Sequence, residues 1–243
     1  MLKPFILLSC LFIISCSNSQ KNAGQQLLQR SITWHDPQHN WAKLKTHLYL
    51  SSADTAGKET FFELEIDNAN DYFCHITNKD GKQIVKGLSK GKAFFLVDGK
   101  KEFSDEERKK YRLTEEGIKA TRNFYVYLYG LPMKLTDAGV SVSDTVTNEV
   151  VNNKTYPTVT ITYDPTVGKD NWFFYCDAET SALSAYRFNQ GKPESGEYIL
   201  LEDEVSVNGI KLPKIRKWYL NKDNKYLGTD NLIKAEKLTA YRN

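Results

Sequence analysis

The stretch Val207-Asn208-Gly209-Ile210-Lys211-Leu212-Pro213 lies between two runs of alternating apolar and polar residues. Its Asn-Gly pair favours a two-residue type I′ turn, because both central residues of that turn need a positive φ. Residues 198–207 and 210–219 are therefore predicted to form an antiparallel hairpin. The alternation is typical of strands that are buried on one face.

The same pattern occurs on both sides of a helical segment in the middle of the chain. Further predicted strands are residues 43–51, 59–67, 72–78, 83–88, 92–97, 158–163, 172–176, 183–188 and 226–238, and strands resume from Val140. Turn signals such as Asp80-Gly81 separate them. The sequence predicts a mainly β (α+β) fold of about 10–11 antiparallel strands in a single domain, residues 23–243.

Capping residues and helical spacing predict the helices. Residues 22–32 place their apolar side chains on one face. Ser104 begins a capping box for a short helix, and Thr114 can cap a longer one. Gly130 and Pro132 are expected to end that longer helix.

The charge balance excludes one class of partner. The chain has 243 residues, with 33 Lys and Arg against 30 Asp and Glu. Loss of residues 1–15 would remove Lys3 alone among the charged residues, leaving 32 basic against 30 acidic. A nucleic-acid partner favours a clustered basic face, so none is expected.

The first sixteen residues predict export and lipid anchoring. Lys3 precedes an apolar run that is shorter than the roughly 20 residues of a membrane span. The run ends in Ile13-Ile14-Ser15-Cys16, which resembles a bacterial lipobox. That resemblance implies a signal peptide over residues 1–15, acylation of the Cys16 thiol (palmitate) and a lipidated tether over residues 16–22.

Two other interpretations of this segment remain open. Cys10 also follows a lipobox-like Leu7-Leu8-Ser9, but it leaves a very short apolar run. The alternative to lipidation is an ordinary cleaved signal. If Cys16 is lipidated, the protein is expected in the cell envelope, anchored to a membrane at the periplasmic face of the outer membrane.

The order of the elements, a helix, strands, a helical insert and more strands, resembles the LolA/LolB-like superfamily. Local resemblance comes from Trp172-Phe173-Phe174-Tyr175-Cys176-Asp177-Ala178-Glu179-Thr180-Ser181-Ala182-Leu183 and from the hairpin at residues 207–213. The resemblance implies a strongly curved antiparallel sheet that forms a half-barrel. It also implies that the N-terminal helix and the central insert cover the concave face. In characterised relatives that concavity receives lipoprotein acyl chains.

The aromatic insert at residues 124–133 is the candidate ligand-binding segment. Tyrosine combines an apolar body with a polar tip, which suits the mouth of a cavity. The candidate lid and cavity residues are Tyr125, Leu128, Tyr129 and Met133 of the insert and Phe62, Leu64, Ile66, Trp172 and Phe174 of the strands. The alternative is a helix that packs onto the sheet and completes its core.

Three residues at the end of the first helix are the weak candidates for metal binding. His35, Asp36 and His39 are residue types that bind metal ions, and His47 follows in a strand. Pro37 lies between the first two histidines, so they are not expected to converge on one helix face. The alternative is a capped helix end.

Other sequence signals for catalysis are weak. The chain has no Gly-x-Ser-x-Gly elbow and no phosphate-binding glycine loop. No enzyme activity and no cofactor are therefore expected. The exported compartment would permit a disulfide between Cys74 and Cys176, with two separate buried thiols as the alternative.

These features together favour a membrane-anchored, non-enzymatic envelope lipoprotein that holds an apolar ligand, such as acyl chains, in a lidded half-barrel. One alternative is a structural or assembly subunit of an outer-membrane complex, with an envelope protein as partner. A second is a hydrolase or metal-dependent enzyme that uses the region from His35 to His47.

The lipobox assignment leads to a test with a matched control. We expect Cys16→Ala to abolish incorporation of labelled palmitate and to release the exported protein from membranes, because two or three acyl chains are needed for stable anchoring. Cys10→Ala should leave both unchanged. Palmitate label that persists in the Cys16 variant and disappears in the Cys10 variant would move the anchor to Cys10.

Overall fold

A computed structural model describes residues 22–242 and shows one antiparallel sheet of twelve strands. The strands are β1 (Lys45–Asp54), β2 (Glu59–Asp67), β3 (Tyr72–Lys79), β4 (Lys82–Ser89), β5 (Lys92–Val97), β6 (Val140–Val151), β7 (Lys154–Tyr163), β8 (Asn171–Cys176), β9 (Leu183–Asn189), β10 (Glu197–Val207), β11 (Ile210–Leu220) and β12 (Tyr226–Glu236). The helices are α1 (Ala23–His35), α2 (Asp105–Lys110) and α3 (Glu115–Gly130). No helix in this part of the chain is long and apolar enough to span a membrane.

The strand order is β5-β4-β3-β2-β1-β12-β11-β10-β9-β8-β7-β6. Consecutive strands pair as antiparallel neighbours, except that β5 and β6 lie at opposite edges and the helical insert connects them. β1 pairs with β12, so the last strand joins the two halves of the sheet. The sheet does not close, and the predicted half-barrel is confirmed.

The sequence did not predict the bounds of β6, and this strand brings the total to twelve. Its side chains are exposed or half-buried until Val151, because it is an edge strand. A register shift between Val142 and Val146 also interrupts its alternation. Between these pairs β6 contains two more residues than β7, and this irregularity interrupts the ladder and its alternation.

α2 and α3 begin where their predicted caps place them, and α1 begins one residue after its predicted start. The Asn22 side chain accepts a hydrogen bond from the amide of Gln25 at the start of α1. Ser104 forms the expected capping box with Glu107, and the Thr114 hydroxyl caps α3. α1 continues to His35, about one turn beyond its predicted end at residue 32.

α1 and α3 lie on the same face of the sheet, which we call the inner face. α1 packs on β6, β7 and β11, and α3 packs on β3 and β4. The main core fills the space between these helices and the sheet. Gly24 lets α1 approach β6 closely, since an added Cβ would overlap the carbonyl of Ser143.

The outer face carries a second apolar cluster, which the end of the chain covers. This cluster consists of Tyr72, Cys74, Ile76, Val85, Leu96 and Leu238. The sequence predicted a strand through residue 238, but β12 ends at Glu236 and the next residues fold over the outer face. The prediction was wrong there because Leu238 packs outside the sheet rather than continuing the ladder.

Two acidic side chains of β2 hold this C-terminal segment. Glu65 is 2% exposed and its Oε1 accepts a hydrogen bond from Nε of Arg242 at 2.6 Å. Oδ2 of Asp67 accepts a hydrogen bond from the Tyr241 hydroxyl at 2.7 Å. The buried carboxylate of Glu65 therefore depends on a residue near the end of the chain for its cationic partner.

We expect Arg242→Met to lower the free energy of unfolding by about 1–2 kcal/mol, because it leaves a buried carboxylate without its cation. The loss is below that of a fully buried pair, since the Arg242 side chain is 33% exposed. Urea denaturation measures it. Lys237→Met, at an exposed position of the same segment, is the control. In a double-mutant cycle Glu65→Gln should remove most of the effect of Arg242→Met, and full additivity would contradict the pairing.

Candidate functional site

The candidate site is the inner face of the sheet beneath α3. The structure brings all nine predicted lid and cavity residues into or against one core cluster: Phe62, Leu64, Ile66, Tyr125, Leu128, Tyr129, Met133, Trp172 and Phe174. Tyr125 and Trp172 are half-buried and the other seven are buried. The side chains of α3 thus pack directly on the sheet, as in the alternative of a helix that completes the core.

Two grooves run along the flanks of α3. The groove beside β7 has a volume of about 430 Å³ and its apolar wall includes Val126, Tyr127, Tyr163 and Trp172. We call it the β7 groove. The tyrosine hydroxyls of residues 127 and 163 lie 2.6 Å apart, which links α3 to the sheet. Burial raises the pKa of both Tyr127 and Tyr163 above an ordinary value at which the hydroxyls are already protonated at neutral pH.

The β11 groove lies on the other flank and has a volume of about 480 Å³. Phe124 of α3 and Trp218 of β11 stack across it with ring centroids 6.4 Å apart. The Trp218 indole donates a hydrogen bond to Asp230, which also lines the groove. Tyr125, one of the predicted lid residues, forms part of its wall.

Arg216 lies beneath α3 and is only 1% exposed. Its guanidinium carbon sits 4.1 Å from the centroid of the Tyr129 ring, and it donates a 3.4 Å hydrogen bond to the Leu128 carbonyl. Burial raises the pKa of Tyr129 to about 12, and the charge of Arg216 opposes that rise. Within the described residues, neither Arg216 Nε nor the buried hydroxyl of Tyr186 has a hydrogen-bond partner.

Sequence reasoning missed Arg216, although a signal was present. Arg216 falls on the same two-residue alternation of β11 as the buried residues Ile210 and Leu212. A cation at a position whose period predicts burial is unusual, because unpaired charges are rarely placed in a core. Tyr163 and Trp218 were missed because strand ends are difficult to assign to a groove without the tertiary structure.

His75 of β3 lies between two aromatic residues of the site. Its ring centroid is 5.6 Å from that of Phe62 and 5.7 Å from that of Tyr125. Its Nδ1 is buried without a hydrogen-bond partner. Burial lowers the pKa of His75 to about 4, and the nearby charge of Lys86 adds to the effect.

His35, the first of the weak metal candidates, holds α1 on the sheet. Its Nδ1 donates to the carbonyl of Lys211 at 2.7 Å, and its Nε2 accepts from the amide of Leu183 at 2.9 Å. This pattern assigns the neutral tautomer with the proton on Nδ1. Burial lowers the pKa of His35, consistent with a neutral ring whose two nitrogens are both occupied.

The other residues of the hypothetical metal site, between Asp36 and His47, do not converge on one point. The two carboxylate oxygens of Asp36 accept hydrogen bonds from the amides of Asn40 and Trp41, so Asp36 caps the turn after α1. His39 is exposed in that turn, and His47 contacts a carboxylate on the outer face. Residues 22–242 contain no group of three His, Cys, Asp or Glu side chains placed to hold a metal ion.

The two cysteines of the described chain are free and separately buried. Cys74 belongs to the outer cluster and Cys176 to the inner core, so they lie on opposite faces of the sheet. The disulfide that the sequence left open is therefore not formed, and the alternative of two buried thiols describes the structure. Burial raises the pKa of Cys176 to about 11. Cys16 lies outside the described residues, and its lipidation stays a prediction.

An open antiparallel half-barrel with helices on its inner face defines the class of this protein, and this is the architecture that the sequence resemblance implied. Residues 2–235 match the model of DUF6503, a family of unknown function, and the chain belongs to that family. No curated protein matches the sequence significantly.

Several solved structures are similar to this chain at low identity. A LolA superfamily protein from Nitrosomonas europaea has 10% identity and a TM-score of 0.49, covering 90% of this chain and 94% of that one. A domain from Vibrio parahaemolyticus described as an outer membrane lipoprotein-sorting protein has 10% identity and a TM-score of 0.47, covering 89% and 91%. A DUF1329 family protein from Desulfovibrio piger has 7% identity and a TM-score of 0.44, covering 89% and 94%.

The buried His75 makes stability depend on pH. Its pKa is about 4 in the folded protein against an ordinary value of 6.5, so the unfolded chain binds the proton more readily between these values. We expect the free energy of unfolding to fall as the pH drops through this window. His75→Phe keeps a ring between Phe62 and Tyr125 without the titration and should flatten the dependence, leaving a remainder from His35. Urea midpoints across this pH window test it. The exposed His39→Asn is the control, and an unchanged slope in the Phe variant would contradict the assignment.

Proposed function

We propose that this protein is an envelope lipoprotein anchored through Cys16, and that it holds an apolar ligand of the acyl-chain class between α3 and the inner face of the sheet. The observation that carries the proposal is the pair of aromatic-walled grooves along the two flanks of α3. Each volume, about 430 and about 480 Å³, is within the range of small-molecule sites.

α3 contributes side chains to the walls of both grooves. Tyr125 borders the β11 groove and Tyr127 borders the β7 groove, on opposite faces of the same helix. A displacement of α3 away from the sheet would join both grooves through the space now filled by Leu128 and Tyr129. The ligand would then replace these side chains as the partner of Phe62 and Phe174 and recover the apolar burial that the helix loses.

The polar contacts between α3 and the rest of the protein are few enough to permit that displacement. They include the Tyr127–Tyr163 hydroxyl pair, an exposed ion pair of Arg122 with Asp71, and the long hydrogen bond from Arg216 to the Leu128 carbonyl. Exposed ion pairs contribute about 0–1 kcal/mol. The helix therefore depends mainly on apolar contacts, which an acyl chain can replace.

The buried polar groups beneath α3 suit the polar end of such a ligand. Arg216 Nε and the Tyr186 hydroxyl are donors without partners among the described residues. A buried donor that lacks an acceptor costs about 1–3 kcal/mol. An ester or amide carbonyl in the opened channel would accept hydrogen bonds from these groups and remove the penalty.

We propose that the protein does not catalyse a reaction. Support comes from the side chains that could have done so. Burial raises the pKa of both described thiols, Cys74 and Cys176, which disfavours the reactive thiolate. Both ring nitrogens of His35 are occupied by backbone hydrogen bonds.

Filling each groove with a larger side chain tests the proposal. The chain from residue 16 onward, with Cys16→Ser, is titrated with a neutral fluorescent monoacylglycerol, and native mass spectrometry gives the stoichiometry. We expect one ligand per protein. Val126→Trp in the β7 groove and Leu227→Trp in the β11 groove should each weaken binding at least about tenfold, a loss of about 1.4 kcal/mol.

Val150→Trp is the matched control, since Val150 is 67% exposed and lines neither groove. Its affinity should equal that of the unsubstituted chain, and thermal melts should show that all three variants are folded. Absence of any bound acyl probe, or equal weakening by all three tryptophans, would refute the proposal.

A further inference from the structure

A third groove, at the β3–β4 side of the inner face, is strongly basic. It has a volume of about 430 Å³ and is lined by Thr77, Lys79, Ile84, Lys86, Lys110, Tyr111 and Arg112. Four of these seven side chains are cationic, and no carboxylate lines the groove. We call it the basic groove.

The cations of the basic groove are poorly neutralised. Lys110 pairs with Asp80 at 3.1 Å across the surface. Lys79, Lys86 and Arg112 form no ion pair within residues 22–242. Like charges that share a groove repel one another, so the free protein loses stability by holding them there.

Lys86 is the most constrained of these cations. It is half-buried in the middle of β4, and its pKa is lowered by burial first and then by the charges of Lys79 and Arg112. A half-buried cation without a partner among the described residues is unfavourable, whereas the same cation beside an oxyanion is stabilised. The arrangement is therefore suited to a ligand that brings negative charge.

A row of neighbouring side chains links the basic groove to the site beneath α3. Lys86 of β4 stands directly opposite His75 of β3, and His75 stands opposite Leu64 of β2. These side chains belong to one cross-strand row on the inner face, which leads from the basic groove to the core. The His75 ring in turn contacts Tyr125 of α3. A chain bound beneath α3 would thus reach the basic groove past His75.

We propose that the basic groove binds an oxyanion, a phosphate or a carboxylate, with Lys86 at its centre and Lys79, Lys110 and Arg112 around it. The anion site stands on its own geometry. Its use as the head-group site of an acyl ligand rests on the proposed function. The ligand class is then an anionic amphiphile with its head in the basic groove and its chain beneath α3. A free inorganic phosphate shares the same chemistry.

Lysolipids that share one acyl chain but differ in head group separate the contribution of head-group charge to binding from that of the chain. The chain from residue 16 onward, with Cys16→Ser, is titrated below the micelle concentration with lysophosphatidic acid, with lysophosphatidylcholine and with inorganic phosphate alone. We expect about tenfold tighter binding of the anionic lysolipid than of the zwitterionic one. This preference should shrink as salt is raised, because the groove is open to solvent.

Lys86→Met should remove the preference while retaining the apolar stem in the groove. We expect this variant to melt at the same or a higher temperature, since it removes a desolvated charge. Lys58→Met, at an exposed position outside the groove, should keep the full preference. Equal binding of the two lysolipids by the unsubstituted chain, or an unchanged preference in Lys86→Met, would overturn the anion site.

The arms distinguish the two sources of the anion and the two proposals. Phosphate that binds alone, competes with the anionic lysolipid and depends on Lys86 supports a site for free anions. Phosphate that binds far more weakly than the lysolipid supports a head-group site. If the neutral monoacylglycerol binds but no charge preference exists, the anion site fails while the proposed function stands. If phosphate binds and no acyl probe does, the anion site stands while the proposed function fails.

Discussion

The pairing of β1 with β12 is the contact on which the rest of the structure depends. It joins Lys45–Asp54 to Tyr226–Glu236, from opposite ends of the described chain. Because these two strands meet in the middle, β5 and β6 become the edges of the sheet. The insert that connects the edges crosses the inner face, and α3 thereby lies over the concavity. A pairing across such a long sequence separation carries a large loop-closure cost, which the continuous ladder and the core beneath it offset.

The inner and outer faces are completed in different ways. On the outer face, Leu238 covers the apolar cluster and Arg242 neutralises the buried Glu65, so that surface is closed by the chain itself. On the inner face, apolar packing is extensive, but Arg216, Tyr186 and His75 retain unpartnered polar atoms. Departures from a fully satisfied core are expected where a protein binds something. They favour the inner face as the proposed ligand site, although Nε of Arg187 on the outer face is also unpartnered among the described residues.

The chemistry of the inner face also changes along its length. Aromatic walls flank α3, and three cations without ion pairs among the described residues lie at the β3–β4 side. An amphiphile has the same two-part character. One ligand that spans both parts would relieve the repulsion in the basic groove and occupy the space that α3 vacates. The two proposals therefore describe one binding mode from its two ends, although each rests on different residues.

Local signals in the sequence determined most of the secondary structure. β2 and β5 have the bounds that alternation predicted, and Ser104 and Thr114 cap the helices as expected, because periodicity and caps act within a few residues. The sequence also grouped Phe62, Tyr129 and Phe174 correctly, since each is apolar on a predicted inward face. Only the tertiary structure decided the β1–β12 pairing, the return of residues 237–242 over the outer face, the burial of Arg216 beneath Tyr129 and the convergence of Lys79, Lys86 and Arg112. These features depend on which distant segments meet, and no local period or cap encodes that.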